Sequence, residues 1–183
     1  MHRCAVCVKQ KGKVCMKERT IHTPVGRLVL SACGGMLCGV RLAVNVQESQ
    51  LCADDPVLDA AQRQFDEYFA AKRQEFDLPL HMEGSGFDCA VWQQLQCIPF
   101  GEVKTYGQLA ASLGKSKASR AVGGACSRNP LLIVVPCHRV IAGTGKLTGF
   151  TAGIKMKHAL LEHEGWEICE DKVILKQSKR ASD

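Results

Sequence analysis

Residues 27–43, RLVLSACGGMLCGVRLA, carry two short apolar runs on either side of Gly34-Gly35, a pattern that predicts two antiparallel strands joined by a tight turn. Lys17–His22 alternates well enough to add a third strand, punctuated by Pro24 and Gly26. The period then changes. Leu58, Ala61, Phe65 and Phe69 recur at helical spacing behind Asp55 as a cap and Pro56 at the first helical position, so an amphipathic helix is expected over 56–72. Residues 75–80 are expected to return to the sheet.

The run Glu83-Gly84-Ser85-Gly86 reads as a linker. Beyond it Phe87, Val91, Leu95 and Ile98 predict a helix that stops at Pro99-Phe100-Gly101. Thr105 with Gln108 makes a capping box for a second helix, which Gly114 should end. Ser116 is expected to cap a third, running to Arg128 before Asn129-Pro130 stops it. Two short helices joined around Gly114 have the outline of a helix-turn-helix. The apolar stretch Leu131–Val135 leads into Pro136-Cys137-His138-Arg139-Val140. Residues 137 and 138 would point opposite ways in a regular strand, so an irregular turn or a bridging water is needed for them to act together. A glycine-rich loop follows (Gly143, Gly145, Gly149, Gly153), and a last helix over 154–164 ends at Gly165.

The expected fold is therefore α/β plus mostly α. A small N-terminal α/β domain with a short antiparallel sheet should occupy 1–82, and a helical C-terminal domain with a winged-helix-like helix-turn-helix 87–176, before a polar tail.

The second helix of the pair is unusual, because Ala118-Ser119-Arg120-Ala121-Val122-Gly123-Gly124-Ala125 is almost all small residues. Readers of the major groove present long polar side chains to base edges. The minor groove is about 6 Å wide and a helix with side chains about 10–12 Å across, so a helix reaching it must be shaved to small residues. Two readings stand equal at this point: an approach to a widened minor groove with Arg120 as a wedge, or close helix packing within the protein.

Composition narrows the classes. The longest strongly apolar run, Leu131–Pro136, is far too short to cross a bilayer, and the basic first twenty residues lack the apolar block of a secretory signal. A soluble chain inside the cell is expected. The excess of 24 Lys+Arg over 18 Asp+Glu suits a polyanionic partner without proving one. Eleven cysteines, an odd number without an export signal, should be mostly reduced thiols. Cys52, Cys89, Cys97, Cys126 and Cys169 are expected to pack as small hydrophobes, leaving metal binding and nucleophilic chemistry for others.

Pro136-Cys137-His138-Arg139-Val140, preceded by Asn129-Pro130 and followed by His163-Glu164-Gly165, resembles the O6-alkylguanine-DNA alkyltransferases. Pro99-Phe100-Gly101-Glu102-Val103 and Ala121-Val122-Gly123-Gly124-Ala125 match in the same order, so the resemblance covers residues 87–166 closely. It implies direct reversal of DNA damage by a single, irreversible transfer of the alkyl group from O6-alkylguanine, and also from O4-alkylthymine, to Cys137. A free thiol near pKa 8.5 must shift down by about 1.5 units, or about 2 kcal/mol, to become mostly thiolate. The resemblance implies that His138 takes the Cys137 proton through a water while Glu164 orients and charges the imidazole. Asn129 would organise the turn, and Arg139 would be a structural ion-pair residue.

By the same resemblance the partner is double-stranded DNA, met through its minor groove with the damaged base flipped out. Tyr106 would push the phosphate backbone and Arg120 fill the vacated stack, with Ala118, Ser119, Ala121 and Gly123 as the contact surface. Val140, Phe150 and Thr151 would meet the guanine. Leu132 stands where mammalian members have proline and Phe150 where they have tyrosine, so a pocket better suited to methyl than to benzyl is expected.

The N-terminal half resembles the family less closely. Cys15, Cys33, Cys38 and His81 line up with the zinc ligands of animal members, with Cys38 where those have histidine. A structural zinc is therefore implied, and no organic cofactor. Cys4 and Cys7 form a CxxC pair that competes for the metal or lies in a basic arm. A monomer without membrane association is expected, nuclear, or cytoplasmic if the source is prokaryotic.

Three other readings explain less. A non-reactive sensor of alkylated DNA would lack the cysteine, and Cys137 is present with His138 and Glu164. A zinc-containing helix-turn-helix regulator would need residues that read the major groove. A thiol protease or redox protein leaves the shaved helix and Arg120 without a purpose.

Overall fold

The computed structural model describes residues 16–43 and 55–176, so Cys4, Cys7, Cys15 and Cys52 lie outside the described residues. The chain forms two compact units: one runs up to Ser85 and includes Pro130–Val134, the other comprises Gly86–Asn129 and the chain from Val135 onward.

The first unit holds three antiparallel strands in sequence order, β1 (Lys17–Thr23), β2 (Gly26–Cys33) and β3 (Met36–Leu42). The central β2 is buried from Leu28 to Ser31 and on to Ala32, which is why it reads as a continuous apolar run rather than an alternation. Gly34 and Gly35 both take positive φ (56° and 75°), as a tight hairpin of this kind requires. The helix α1 (Pro56–Phe69) is capped by Asp55, whose carboxylate accepts from the Val57 and Leu58 N–H groups at 3.0 and 3.3 Å. Leu58, Ala61, Phe65 and Tyr68 form its buried face. It stops short of residue 72 because Ala71 turns into the left-handed region at φ 56°.

The expected strand over 75–80 is reduced to one parallel bridge, Leu80 with Leu37. Leu37 N donates to Pro79 O at 2.8 Å, and before it the buried Gln64 side chain donates to Asp77 O (2.7 Å) and accepts from Asp77 N (2.8 Å). Pro130–Val134 joins this unit along β3: Val40 N donates to Pro130 O at 2.8 Å and Leu132 N to Val40 O at 3.2 Å. Ile133 there has φ 72°, a strained value for a β-branched residue.

The second unit is mostly helical. It contains α2 (Gly86–Gln96), the two-residue β4 (Lys104–Thr105), α3 (Tyr106–Ser112), α4 (Ser119–Ser127), β5 (Val140–Ile141), α5 (Ile154–His163), and a hairpin of β6 (Trp166–Cys169) and β7 (Lys172–Lys176). The Thr105–Gln108 capping box opens α3 with both of its reciprocal bonds formed. The turn between α3 and α4 is longer than expected, Leu113–Ala118, because α4 starts at Ser119 and not after Ser116. Its cap position is Ala118, which has no side-chain bond to offer. Trp92 Nε1 donates to Ala125 O at 2.9 Å and Arg128 pairs with the buried Asp88 at 2.6 Å, tying α2 to the end of α4.

Two features were not predicted. β4 and β5 pair in parallel, Lys104 with Val140, in strands too short to show a period. The β6–β7 hairpin turns through Glu170 and Asp171 (φ 47° and 58°) without glycine. It supports the glycine-rich loop, since Leu147 N donates to Asp171 O (2.6 Å) and Val173 N to Gly145 O (3.1 Å). Ile141, Leu147 and Leu161 form a small core against Trp166, Ile168 and Val173. Cys126 is buried as expected, but Cys97 and Cys169 are exposed, so neither packs as a small hydrophobe. Among the described residues no helix is long and apolar enough to cross a membrane.

Candidate active site

Cys137, His138 and Arg139 form a single turn of 3₁₀ helix between Pro136 and β5, all three buried. The tight turn resolves the problem posed by neighbours on a strand, because side chains on 3₁₀ backbone are not alternate. Asn129, at the end of α4, braces the turn: its Nδ2 donates to Val135 O at 2.8 Å and to Cys137 Sγ at 3.1 Å. Burial pushes the Cys137 thiol up, while the Asn129 hydrogen bond and the Lys157 charge pull it down, and burial wins. The resting group is therefore a thiol.

His138 is fully buried, with Nε2 2.9 Å from Glu164 Oε1. Burial holds its pKa below the ordinary range despite the attraction of Glu164, so the ring is neutral. A carboxylate can only accept, so Nε2 carries the ring proton and Nδ1 is a bare lone pair. That Nδ1 is buried and has no hydrogen-bond partner in the described structure.

Glu164 sits at the C-cap of α5 and is the hub of the site. Arg139 reaches it with Nε (2.9 and 3.1 Å) and Nη2 (2.8 Å), and Gly101 N adds a backbone donor at 3.2 Å. Burial alone would raise the Glu164 carboxyl, but His138 and Arg139 outweigh it and hold it well below the usual carboxylate range. Arg139 Nη1 donates to Ile98 O at 2.6 Å, so the fork also fixes the end of α2.

The expected DNA-facing residues lie on α3 and α4. Arg120 and Ala121 are exposed, and Ala118, Ser119 and Gly123 half-buried. Tyr106 lies over Gly123, and its hydroxyl donates to Thr148 O (3.0 Å) and Gly149 O (3.3 Å). Thr151 is exposed, its hydroxyl donating to Ser127 O at 3.0 Å, Phe150 is half-buried and Val140 is buried. Lys157, on the buried face of α5, is absent from the sequence-based set. The available signal was a lysine in register with Leu160 and Leu161 on an apolar stripe.

In the first unit, Cys33 ends β2 and Cys38 lies in β3, close enough to act on each other's charge, and Cys38 Sγ donates to Ser31 O at 3.4 Å. Burial first, then Cys33, pushes Cys38 up to about 12. His81 N donates to Leu37 O at 2.9 Å, which sets its backbone beside β3. Among the described residues no three metal-ligating side chains come together. Two adjacent thiols suit half of a tetrahedral zinc site, and Cys15 lies outside the described residues.

The chain is 42% identical over 149 residues, 80% of this chain and 90% of the relative, to a methylated-DNA–protein-cysteine methyltransferase of Mycobacterium bovis. Its fold superposes on the crystal structure of the Mycobacterium tuberculosis O6-methylguanine methyltransferase with a TM-score of 0.74 at 41% identity, covering 82% of this chain and 93% of that one. The structure of the Mycobacterium tuberculosis protein in complex with DNA matches with a TM-score of 0.73 at 42% identity over 80% of this chain and 91% of that one. Mycobacterial relatives have no nucleus and lend the nuclear expectation no support. Residues 16–82 match the family model described as 6-O-methylguanine DNA methyltransferase, ribonuclease-like domain, and residues 86–166 match the one described as 6-O-methylguanine DNA methyltransferase, DNA binding domain. The chain therefore belongs to the 6-O-methylguanine DNA methyltransferase family.

Proposed function

We propose that this protein repairs DNA by moving the alkyl group of O6-alkylguanine onto Cys137, once per molecule. The observation that carries the reading is the bare, buried Nδ1 of His138 on the residue that follows a buried thiol braced by Asn129. Through a bridging water His138 takes the Cys137 proton, and Glu164, held ionised by Arg139, stabilises the imidazolium that forms. The thiolate sulfur attacks the alkyl carbon. The carbon–O6 bond breaks as the carbon–sulfur bond forms, its electron pair stays on guanine, and guanine takes up a proton. The product is a neutral thioether, which water does not cleave, so no second turnover follows.

DNA enters on α3 and α4 through the minor groove of a double-stranded substrate, one protein molecule at a time. The small residues of α4 allow close approach, exposed Arg120 fills the stack, and Tyr106 holds the loop at Thr148 and Gly149 against which the flipped base rests, with Val140, Phe150 and Thr151 around it. Residues 87–176 carry this helix-turn-helix chemistry, and 1–82 form a supporting domain. Cys15, Cys33, Cys38 and His81 hold a structural zinc there, which adds stability and takes no part in transfer.

Intact-protein mass after incubation with a duplex containing O6-methylguanine tests the main reading. A gain of one methyl group at Cys137, stopping at one equivalent and absent from Cys137→Ala, is expected. No mass change with tight binding would mean a sensor instead. For the metal, Cys33→Ser should lose zinc by elemental analysis, and undiminished zinc would remove that assignment.

A further inference from the structure

Lys157 is fully buried, yet no described carboxylate pairs with it. Its Nζ donates to Val140 O at 2.5 Å and to Thr148 O at 2.8 Å. An ammonium has three donors, so one remains beyond these two carbonyls. The head group lies 5.9 Å from the centre of the Tyr106 ring, whose hydroxyl shares the Thr148 carbonyl. Carbonyls and a ring face ease the burial of a cation but do not neutralise it, and an unpaired buried charge is costly. The groups whose negative charge would reach it are thiols, Cys137 on the 3₁₀ turn and Cys126 on α4, both neutral at rest. His138 and Tyr106 are the other titratable groups facing this space, from the turn and from α3, and both are neutral at rest.

We infer that Lys157 is a positioning residue for the transfer, the built-in counter-charge of the Cys137 thiolate, fixed by the Val140 and Thr148 carbonyls three residues beyond the nucleophile and on the loop that follows. The inference rests on Cys137 as the acceptor. His138 removes the proton but shares Glu164 with Arg139, whereas Lys157 has no described carboxylate and supplies a further cation for the sulfur once the proton has gone. Burial brings the lysine itself down to about 8, so it is mostly charged at neutral pH, and a thiolate formed at Cys137 strengthens that charge.

The test is the pH dependence of Cys137 labelling by iodoacetamide, located by mass spectrometry, in the full-length protein and in Lys157→Gln and Lys157→Arg. Glutamine keeps two N–H donors for the carbonyls and removes the charge. Its labelling is expected to be about tenfold slower at pH 7, with the profile midpoint about one unit higher. Arginine keeps the charge and should hold the wild-type midpoint even where its size slows the reaction. An unmoved midpoint in folded Lys157→Gln overturns the inference. So does a raised midpoint in Lys157→Arg, which decides the matter alone if the glutamine variant does not fold. Failure of the acceptor reading is separate, since it appears as no methyl gain from O6-methylguanine DNA in the wild-type protein, whatever the iodoacetamide profile.

Discussion

Replacing Glu164 by glutamine removes the one negative charge on which His138, Arg139 and Gly101 converge. The carboxylate accepts from the Arg139 fork through both oxygens, from the His138 ring at 2.9 Å and from Gly101 N at 3.2 Å. Glutamine keeps one oxygen and turns the other position into a donor that faces donors. Arg139 is then a buried guanidinium with no counter-charge, being 6% exposed with Glu164 at 3%. Removing one partner of a buried pair costs about 3–5 kcal/mol, against a total stability of about 5–15 kcal/mol. Glu164→Gln should therefore fold, with Tm lowered by about 6–20 °C for a chain of this size. Urea unfolding followed by tryptophan fluorescence measures the loss at pH 7. Adding Arg139→Met should recover part of it, because the stranded charge goes too, with a coupling energy of about 1–3 kcal/mol between the sites. A single variant within about 1 kcal/mol of wild type, or strictly additive effects, would refute the reasoning that charge at Glu164 sustains the site.

Three further outcomes follow from the same geometry. The His138 ring should stay neutral with its proton on Nε2 as pH falls from 7.5 to 5.5, read from its ¹⁵N shifts; since its folded pKa lies below the unfolded value near 6.5, stability is lost as pH falls through that value, and an ordinary titration would contradict the assignment. Asn129→Ala strips a donor from Val135 O and from Cys137 Sγ, so urea unfolding should show a loss of about 1–3 kcal/mol together with slower thiol labelling, and faster labelling would show that the amide shields rather than stabilises the sulfur. Gly149 sits at φ 54° where an added Cβ would lie 3.3 Å from the Tyr106 hydroxyl, so Gly149→Ala should slow alkyl transfer from duplex DNA more than iodoacetamide labelling, and equal slowing would place the damage in the nucleophile instead.

Much of the first unit was legible because its strands either alternate or, in β2, run apolar between two neighbours, and because Gly34-Gly35 announces the turn. The 75–80 stretch looked like a strand, yet only its end bonds to β3, and the Asp77 backbone goes to Gln64, a side chain no local pattern links to it. Ser116 is a good capping residue by type, but the turn through Gly114 runs on to Ala118 and leaves it short of the start of α4. In the site, Cys137 and His138 are adjacent in sequence and Asn129 is near, so their grouping could be read. Glu164 and the Gly101 N–H come from distant segments, and resemblance, not spacing, pointed to the first. Lys157 was passed over because a lysine on an apolar stripe reads as a long stem reaching for solvent, whereas here its ammonium ends on two buried carbonyls.

The membership of Pro130–Val134 in the first unit bears on how the protein is made. Strand β3 is complete early in synthesis, but its pairing with Pro130 and Leu132 waits until α1 through α4 have all left the ribosome. Domains on a growing chain tend to fold in order from the N-terminus. This one cannot finish in that order, and meanwhile β3 presents an open edge to any passing strand. Chains stalled before residue 130 should therefore aggregate more readily than those released after it, and the segment leading to the reactive cysteine doubles as the piece that closes the older half of the molecule.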